Sequence, residues 1–178
     1  MGFGRPRKLE TEGELYEYAV GALARRMRSI AELKRLLRQR VDAESEIGKT
    51  LVELVIRRLK DQGYLNDAKY AAAFSNLRRD NEKFGRRRIA TELKARGVHG
   101  ELIEKAVDSA FSEINEEKQA RDYLRRKRLE KPANQKQAAR IFRQLMRAGF
   151  STKTTFSILK KWSVDDNMLE ALESEAEK

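Results

Sequence analysis

The sequence predicts an all-α fold built as three tandem three-helix repeats stacked into an elongated array. Three observations predict it. Only 2 of 178 residues are proline, and long stretches are rich in Ala, Leu, Glu, Lys and Arg, which lose little rotamer freedom in a helix. Apolar residues recur at i, i+3, i+4 and i+7 through most of the chain. The pattern also restarts at a spacing of about 50–55 residues, a period typical of repeat architectures. Units this small bury little surface alone, so neighbours should stack.

The first repeat is read over 12–65, after a basic extension at 1–11. Thr11 and Glu14 form a capping box, and Leu15, Tyr18, Ala19, Ala22 and Leu23 give the first helix one apolar face. Ser29 and Glu32 form a second box ahead of Ile30, Leu33, Leu36 and Leu37. After a polar break at 42–46, Ile47, Leu51, Leu54, Val55 and Leu59 share a face, and Gly63 stops the helix.

The second repeat, 66–116, begins with Asn66 or Asp67 as cap and carries Tyr70, Ala73, Phe74 and Leu77 inward. Its middle helix follows Gly85, buries Ile89 and Leu93, and stops at Gly97. Its last helix carries Ile103, Ala106, Val107, Ala110, Phe111 and Ile114. The third repeat, 117–162, places Ala120, Tyr123 and Leu124 on one helix. Past Pro132, Asn134 caps another bearing Ala138, Ile141, Phe142, Leu145 and Met146, which Gly149 stops. Ser151 caps a final short helix with Phe156, Leu159 and Trp162. Between repeats, Tyr16, Ala19, Val20 and Leu23 align with Tyr70, Ala73, Phe74 and Leu77. Leu93, Gly97 and Val98 align with Leu145, Gly149 and Phe150; Arg40 replaces the glycine in the first repeat.

Composition removes many functions. With no Cys there is no disulfide framework, thiol nucleophile or Cys-based zinc site, and His99 alone cannot build a His-rich metal centre. No apolar run approaches the roughly 18 residues of a membrane span. The basic start leads into a polar helix, unlike a signal peptide. Gly48-Lys49-Thr50 resembles the end of a phosphate-binding loop, but Ala43 holds the leading glycine position and no strand precedes it. No catalytic constellation is present, so no enzyme and no cofactor are expected. The expected protein is a cytoplasmic monomer.

Charge points to a polyanionic partner. The chain carries 39 Lys and Arg against 28 Asp and Glu, a net +11. Residues 163–178 hold six acids and one Lys, which leaves the rest of the chain at +16. This acidic tail reads as a helical end built on Met168, Leu169 and Leu172, or as a screen for the basic body. Lys136, Arg140, Arg143 and Arg147 recur at i, i+4, i+7 and i+11, a stripe opposite Ile141 and Leu145 at about 100° per residue. Arg121, Arg125 and Arg128 form a similar row. Arg86, Arg87 and Arg88 crowd the first turn of a helix, where they oppose its dipole. The guanidinium fork bonds two phosphate oxygens at once, so these ten residues are the candidate nucleic-acid surface.

Three segments occur together in order: Arg26-x-x-Ser29-x-x-Glu32-Leu33, Gly63-Tyr64-Leu65-x-Asp67, and Gly85-x-x-x-Ile89-x-x-Glu92-Leu93-x-x-x-Gly97. In these the chain, from about Leu15 to Trp162, resembles the RecX family of regulatory proteins, which modulate the RecA recombinase. The resemblance implies three tandem three-helix repeats and a non-enzymatic regulator in DNA repair and the SOS response. It implies binding in the groove of the RecA filament on DNA, inhibition of recombination, ATP hydrolysis and co-protease activity, and weak, sequence-tolerant binding of single- and double-stranded DNA. Asn66 and Tyr70 depart from the family's more usual Asp and Phe. Two other readings stay open: a helix-turn-helix DNA binder acting independently of RecA and using Gln137 and Gln144 at base edges, and a structural RNA-binding protein.

Overall fold

A computed structural model of the chain describes residues 7–164; the acidic run from Asp165 and the first six residues lie outside them. Within that range the fold is all-α. Its helices are α1 (Glu12–Arg25), α2 (Ile30–Arg38), α3 (Glu46–Asp61), α4 (Asp67–Leu77), α5 (Arg86–Ala95), α6 (Gly100–Phe111), α7 (Glu116–Arg126), α8 (Gln135–Arg147) and α9 (Thr152–Lys161). A π-helical turn, Arg78–Glu82, follows α4. No described helix is long and apolar enough to cross a membrane. The chain divides into two compact units, Met1–Ala71 with Lys94–Leu102, and Ala72–Leu93 with Ile103–Lys178.

In the first unit α1 and α2 pack on α3 around Leu15, Ala19, Leu33, Leu37, Val52, Val55 and Leu59. The α3 face differs from the expected one. Ile47 and Leu54 are 73% and 44% exposed, while Val52, Val55, Ile56 and Leu59 are buried. Gly48 fixes the choice: it lies under the Asp42 carbonyl, where a Cβ would overlap that oxygen. The apparent phosphate loop is therefore a helix start. Ser45 Oγ accepts the Gly48 N–H at 3.1 Å, and the Lys49 ammonium pairs with Glu46 at 2.7 Å. At Thr11 only half of the expected capping box forms: Oγ1 accepts the Glu14 N–H, but the Glu14 carboxylate turns to the Glu10 N–H.

The same unit holds a polar junction. Ser29 and Glu32 form a complete capping box on α2. Ser29 Oγ, fully buried, donates to the Arg96 carbonyl at 2.6 Å, and the Arg96 guanidinium donates to Glu32 at 2.7 Å. The Tyr70 hydroxyl also donates to Glu32, at 3.3 Å. Asn66, not Asp67, caps α4, accepting the Lys69 N–H at 2.9 Å. Asp67 instead accepts the Ile30 N–H at 2.8 Å, so it serves α2. Burial pushes its carboxyl above the usual range, against the pull of that N–H and of Lys60.

The second unit has its core around Tyr123, Leu124, Ile141, Phe142, Leu145, Phe150, Ile158 and Leu159. On α4, Ala73 and Leu77 are exposed and Ala71 is buried, so the inward face is turned from the one expected; Phe74 is half-buried. Gly63, Gly97 and Gly149 have φ of 75°, 76° and 89°, as helix stops often do. Arg40, at the equivalent place after α2, is not among the positive-φ residues, and Val41 is buried there as Val98 and Phe150 are after α5 and α8.

Candidate nucleic-acid interface

All ten arginines and lysines picked out by spacing are exposed. The fold distributes them unevenly. Three arginines in one first turn should repel one another and oppose the α5 dipole. The opposing end of α8 offsets this. The Gly85 N–H donates to the Ala148 carbonyl at 2.8 Å and the Arg87 N–H to the Gly149 carbonyl at 3.3 Å. The partial negative charge of one helix end thus meets the partial positive charge of the other. The approach is possible because a glycine stands on each side of it: a Cβ on Gly85 would overlap the Gly149 carbonyl, and one on Gly149 would lie 2.6 Å from Arg88 Cβ.

The triplet then diverges. Arg86 pairs with Asp108, and its guanidinium lies 5.8 Å from the Phe111 ring. Arg86 and Arg87 line a recess with Glu116 and Ser151. Burial raises the Glu116 carboxyl pKa, but bonds from Ser151 and Thr154, with the charge of Arg87, outweigh it and hold the group below the usual carboxylate range. Arg88 faces elsewhere. It pairs with Glu92 at 2.9 Å and lines a groove of about 520 Å³ with Arg140, Arg143 and Arg147 of α8.

That groove is the strongest candidate site. Lys127, at the end of α7, adds a fifth cation, and no carboxylate is among the described lining residues. Arg140 and Arg147 have no ion-pair partner among the described residues. Converging like charges around one recess concentrate positive potential, which a polyanion relieves with release of its counterions. Gln144, Phe84 and Tyr123 complete the lining.

The other candidates lie outside it. Lys136 is exposed in the first turn of α8 and does not line the groove. Arg121, Arg125 and Arg128 line a separate recess with Leu129 and Trp162. Arg121 pairs with Glu117, and Arg125 with Asp122 at 3.2 Å. Arg128 is past the helix end with φ 53°, so the row is not a helical stripe at that position. Spacing missed Lys127 because it sits at the C-cap of α7, where direction depends on how the helix ends; the Arg-Arg-Lys-Arg run at 125–128 was the available signal.

Comparison with known proteins agrees with this architecture. A family profile described as "RecX, second three-helix domain" matches residues 66–107. A Regulatory protein RecX from Leptothrix cholodnii is 34% identical over 160 residues, covering 90% of this chain and 93% of the relative. The chain belongs to the RecX family. A Regulatory protein RecX from Myxococcus xanthus is likewise 34% identical, over 92% of this chain and 90% of its own. The crystal structure of RecX from Lactobacillus salivarius shares the fold with a TM-score of 0.62 at 20% identity, covering 85% of this chain and 96% of that one. The RecX-like motifs map mainly to packing. Leu33, Leu65, Tyr70, Ile89 and Leu93 are buried, and Ser29, Glu32 and Gly85 build the helix junctions. The two departures are accommodated: Asn66 caps α4, and the extra hydroxyl of Tyr70 reaches Glu32.

Proposed function

We propose that this RecX-family chain is a regulator that binds the RecA filament on DNA and inhibits its recombinase, ATPase and co-protease activities without catalysis of its own. The observation that carries the reading is the groove of Arg88, Lys127, Arg140, Arg143 and Arg147, which gathers cations from α5, α7 and α8 around one recess with no carboxylate among its described lining residues. Phosphates of the filament's DNA are its intended ligand, and the remaining basic candidates add weaker contacts through effective concentration. A sequence-specific DNA binder is less well supported. Gln144 lines the groove, but the Gln137 amide oxygen accepts the Ala133 N–H at 2.8 Å, which holds that side chain at the start of α8.

The test is RecA's DNA-dependent ATPase and strand exchange, with wild type and with Arg140→Ala/Arg147→Ala. Wild type is expected to inhibit at less than one molecule per recombinase protomer, and the variant to inhibit less while keeping its helical circular dichroism. Direct DNA binding should weaken with salt. Five phosphate contacts on a single strand give a log–log slope of about −3.5, falling to about −2 in the variant. A wild type that leaves both RecA activities untouched sinks the reading.

A further inference from the structure

The groove of the second unit has an aromatic floor, which phosphate binding does not need. Phe84 is partly exposed there, with its ring centroid 6.3 Å from that of Tyr123. Tyr123 is anchored edge-on to Phe150 at 5.7 Å. The backbone that delivers Phe84 is unusual: the π-helical turn Arg78–Glu82 precedes it, and Lys83 adopts φ 58°, a left-handed conformation that a side chain disfavours. Such backbone persists where surroundings hold it. Here the Arg79 guanidinium donates to the Ala110 carbonyl, and Gln119 Nε2 donates to the Arg79 carbonyl at 2.7 Å. The outcome of this special geometry is an aromatic ring kept at the bottom of a cationic recess.

We propose that the groove takes one unpaired nucleotide, with its base laid on Phe84 and its flanking phosphates held by Arg88, Arg140 and Arg147, so that single-stranded DNA is selected over duplex. This rests on the DNA-binding reading above. A duplex keeps its base faces stacked inside and offers the groove only phosphates. An unpaired strand can use both the rim and the floor. The guanidinium of Arg88 now lies 5.6 Å from the Phe84 ring centroid. An exposed contact of that kind is worth about twofold to fivefold in an equilibrium, whereas stacking a base on an aromatic is worth about fivefold to more than a hundredfold. A base therefore displaces Arg88 from the ring, and the guanidinium, bonded to Glu92 through Nε, turns its other N–H groups to phosphate. Every base has a π-face, so the selection is for strandedness and not for sequence.

The experiment is a fluorescence-polarisation titration of the full chain with an oligo-dT strand and with a duplex of equal length. Wild type is expected to prefer the single strand. Phe84→Leu keeps an apolar side chain and is expected to lose roughly tenfold on the single strand and under about twofold on the duplex. Arg140→Ala/Arg147→Ala is expected to weaken both alike. A second measurement needs no variant: wild type is photocrosslinked to a strand carrying 5-iododeoxyuridine, and the adduct, mapped by mass spectrometry, is expected on Phe84 or Tyr123. An unchanged strand preference in folded Phe84→Leu, or adducts confined to residues outside the groove, overturns the inference and leaves DNA binding standing. If wild type binds neither form, the DNA-binding reading falls and the inference with it.

Discussion

The two compact units close a helix junction by different chemistry. In the first, the start of α2 meets the end of α5 through side chains, with Ser29 bonded to the Arg96 carbonyl and Arg96 paired back to Glu32. In the second, the start of α5 meets the end of α8 through backbone, with Gly85 and Arg87 N–H groups on the Ala148 and Gly149 carbonyls. A side-chain junction consumes a cation, and a glycine junction does not. Among the described residues the first unit has 16 basic residues against 12 acidic, the second 21 against 10. In the first unit, Arg96 is tied to Glu32, Arg58 to Glu12 and the Tyr16 ring, and Lys34 to Glu53. The second unit can leave Arg140 and Arg147 lining a recess with no acid among its described lining residues.

The contrast breaks most visibly at the glycines. Gly149→Ala adds a Cβ at φ 89° against Arg88 and is expected to cost about 2–4 kcal/mol in chemical denaturation, from combined backbone strain and overpacking. A cost under about 0.5 kcal/mol would show that the junction is loose. Ser29→Ala removes the α2 cap and leaves the Arg96 carbonyl without its buried donor; about 2 kcal/mol is expected, at the upper end for a cap.

Glu116→Gln is expected to cost about 1.5 kcal/mol at neutral pH, because the carboxylate accepts from both Ser151 and Thr154. The folded pKa of Glu116 lies below its unfolded value of about 4.3. Its contribution is therefore present above that value and lost as pH falls through the folded pKa, so wild type and variant should converge in acid. Asp67 works oppositely: its folded pKa is raised, so protonation favours the folded form as pH falls through it. A pH series of denaturant midpoints that shows no convergence would remove Glu116 from the account. The smallest effect belongs to Arg140→Ala/Arg147→Ala, expected to change stability by under about 0.5 kcal/mol per site while DNA binding falls. A large loss of stability would make these arginines structural.

Much of the fold was legible in the sequence. The α8 segment shows why: Asn134 caps it, Ala138, Ile141, Phe142 and Leu145 are its buried face, and Gly149 ends it, each by a local rule. Face selection was less legible where two stripes compete. On α3, Ile47 and Leu54 satisfy helical spacing with Leu51, Val55 and Leu59 as well as Val52 and Ile56 do. Packing of α1 and α2, together with Gly48 under Asp42, kept Val55 and Leu59 inward, added Val52 and Ile56, and left Ile47 and Leu54 exposed. On α4, Leu77 was drawn inward by spacing alone, but α4 gives way after it to the π-helical turn, and the side chain is 57% exposed.

The site divides along the same line. Spacing placed Arg140, Arg143 and Arg147 on one exposed stripe, because helix geometry is local and repeats with fixed angle. It could not bring Arg88 and Lys127 to that stripe, nor separate Arg88 from Arg86 and Arg87, since those meetings depend on where α5 starts and α7 ends relative to α8. The sequence by itself determined the helices, their caps and the excess of positive charge, because each follows from neighbours within a few turns. Only the tertiary structure decided which cations share a recess and which are neutralised by a distant acid, because the energy of a charge depends on what the fold brings within a few ångströms of it.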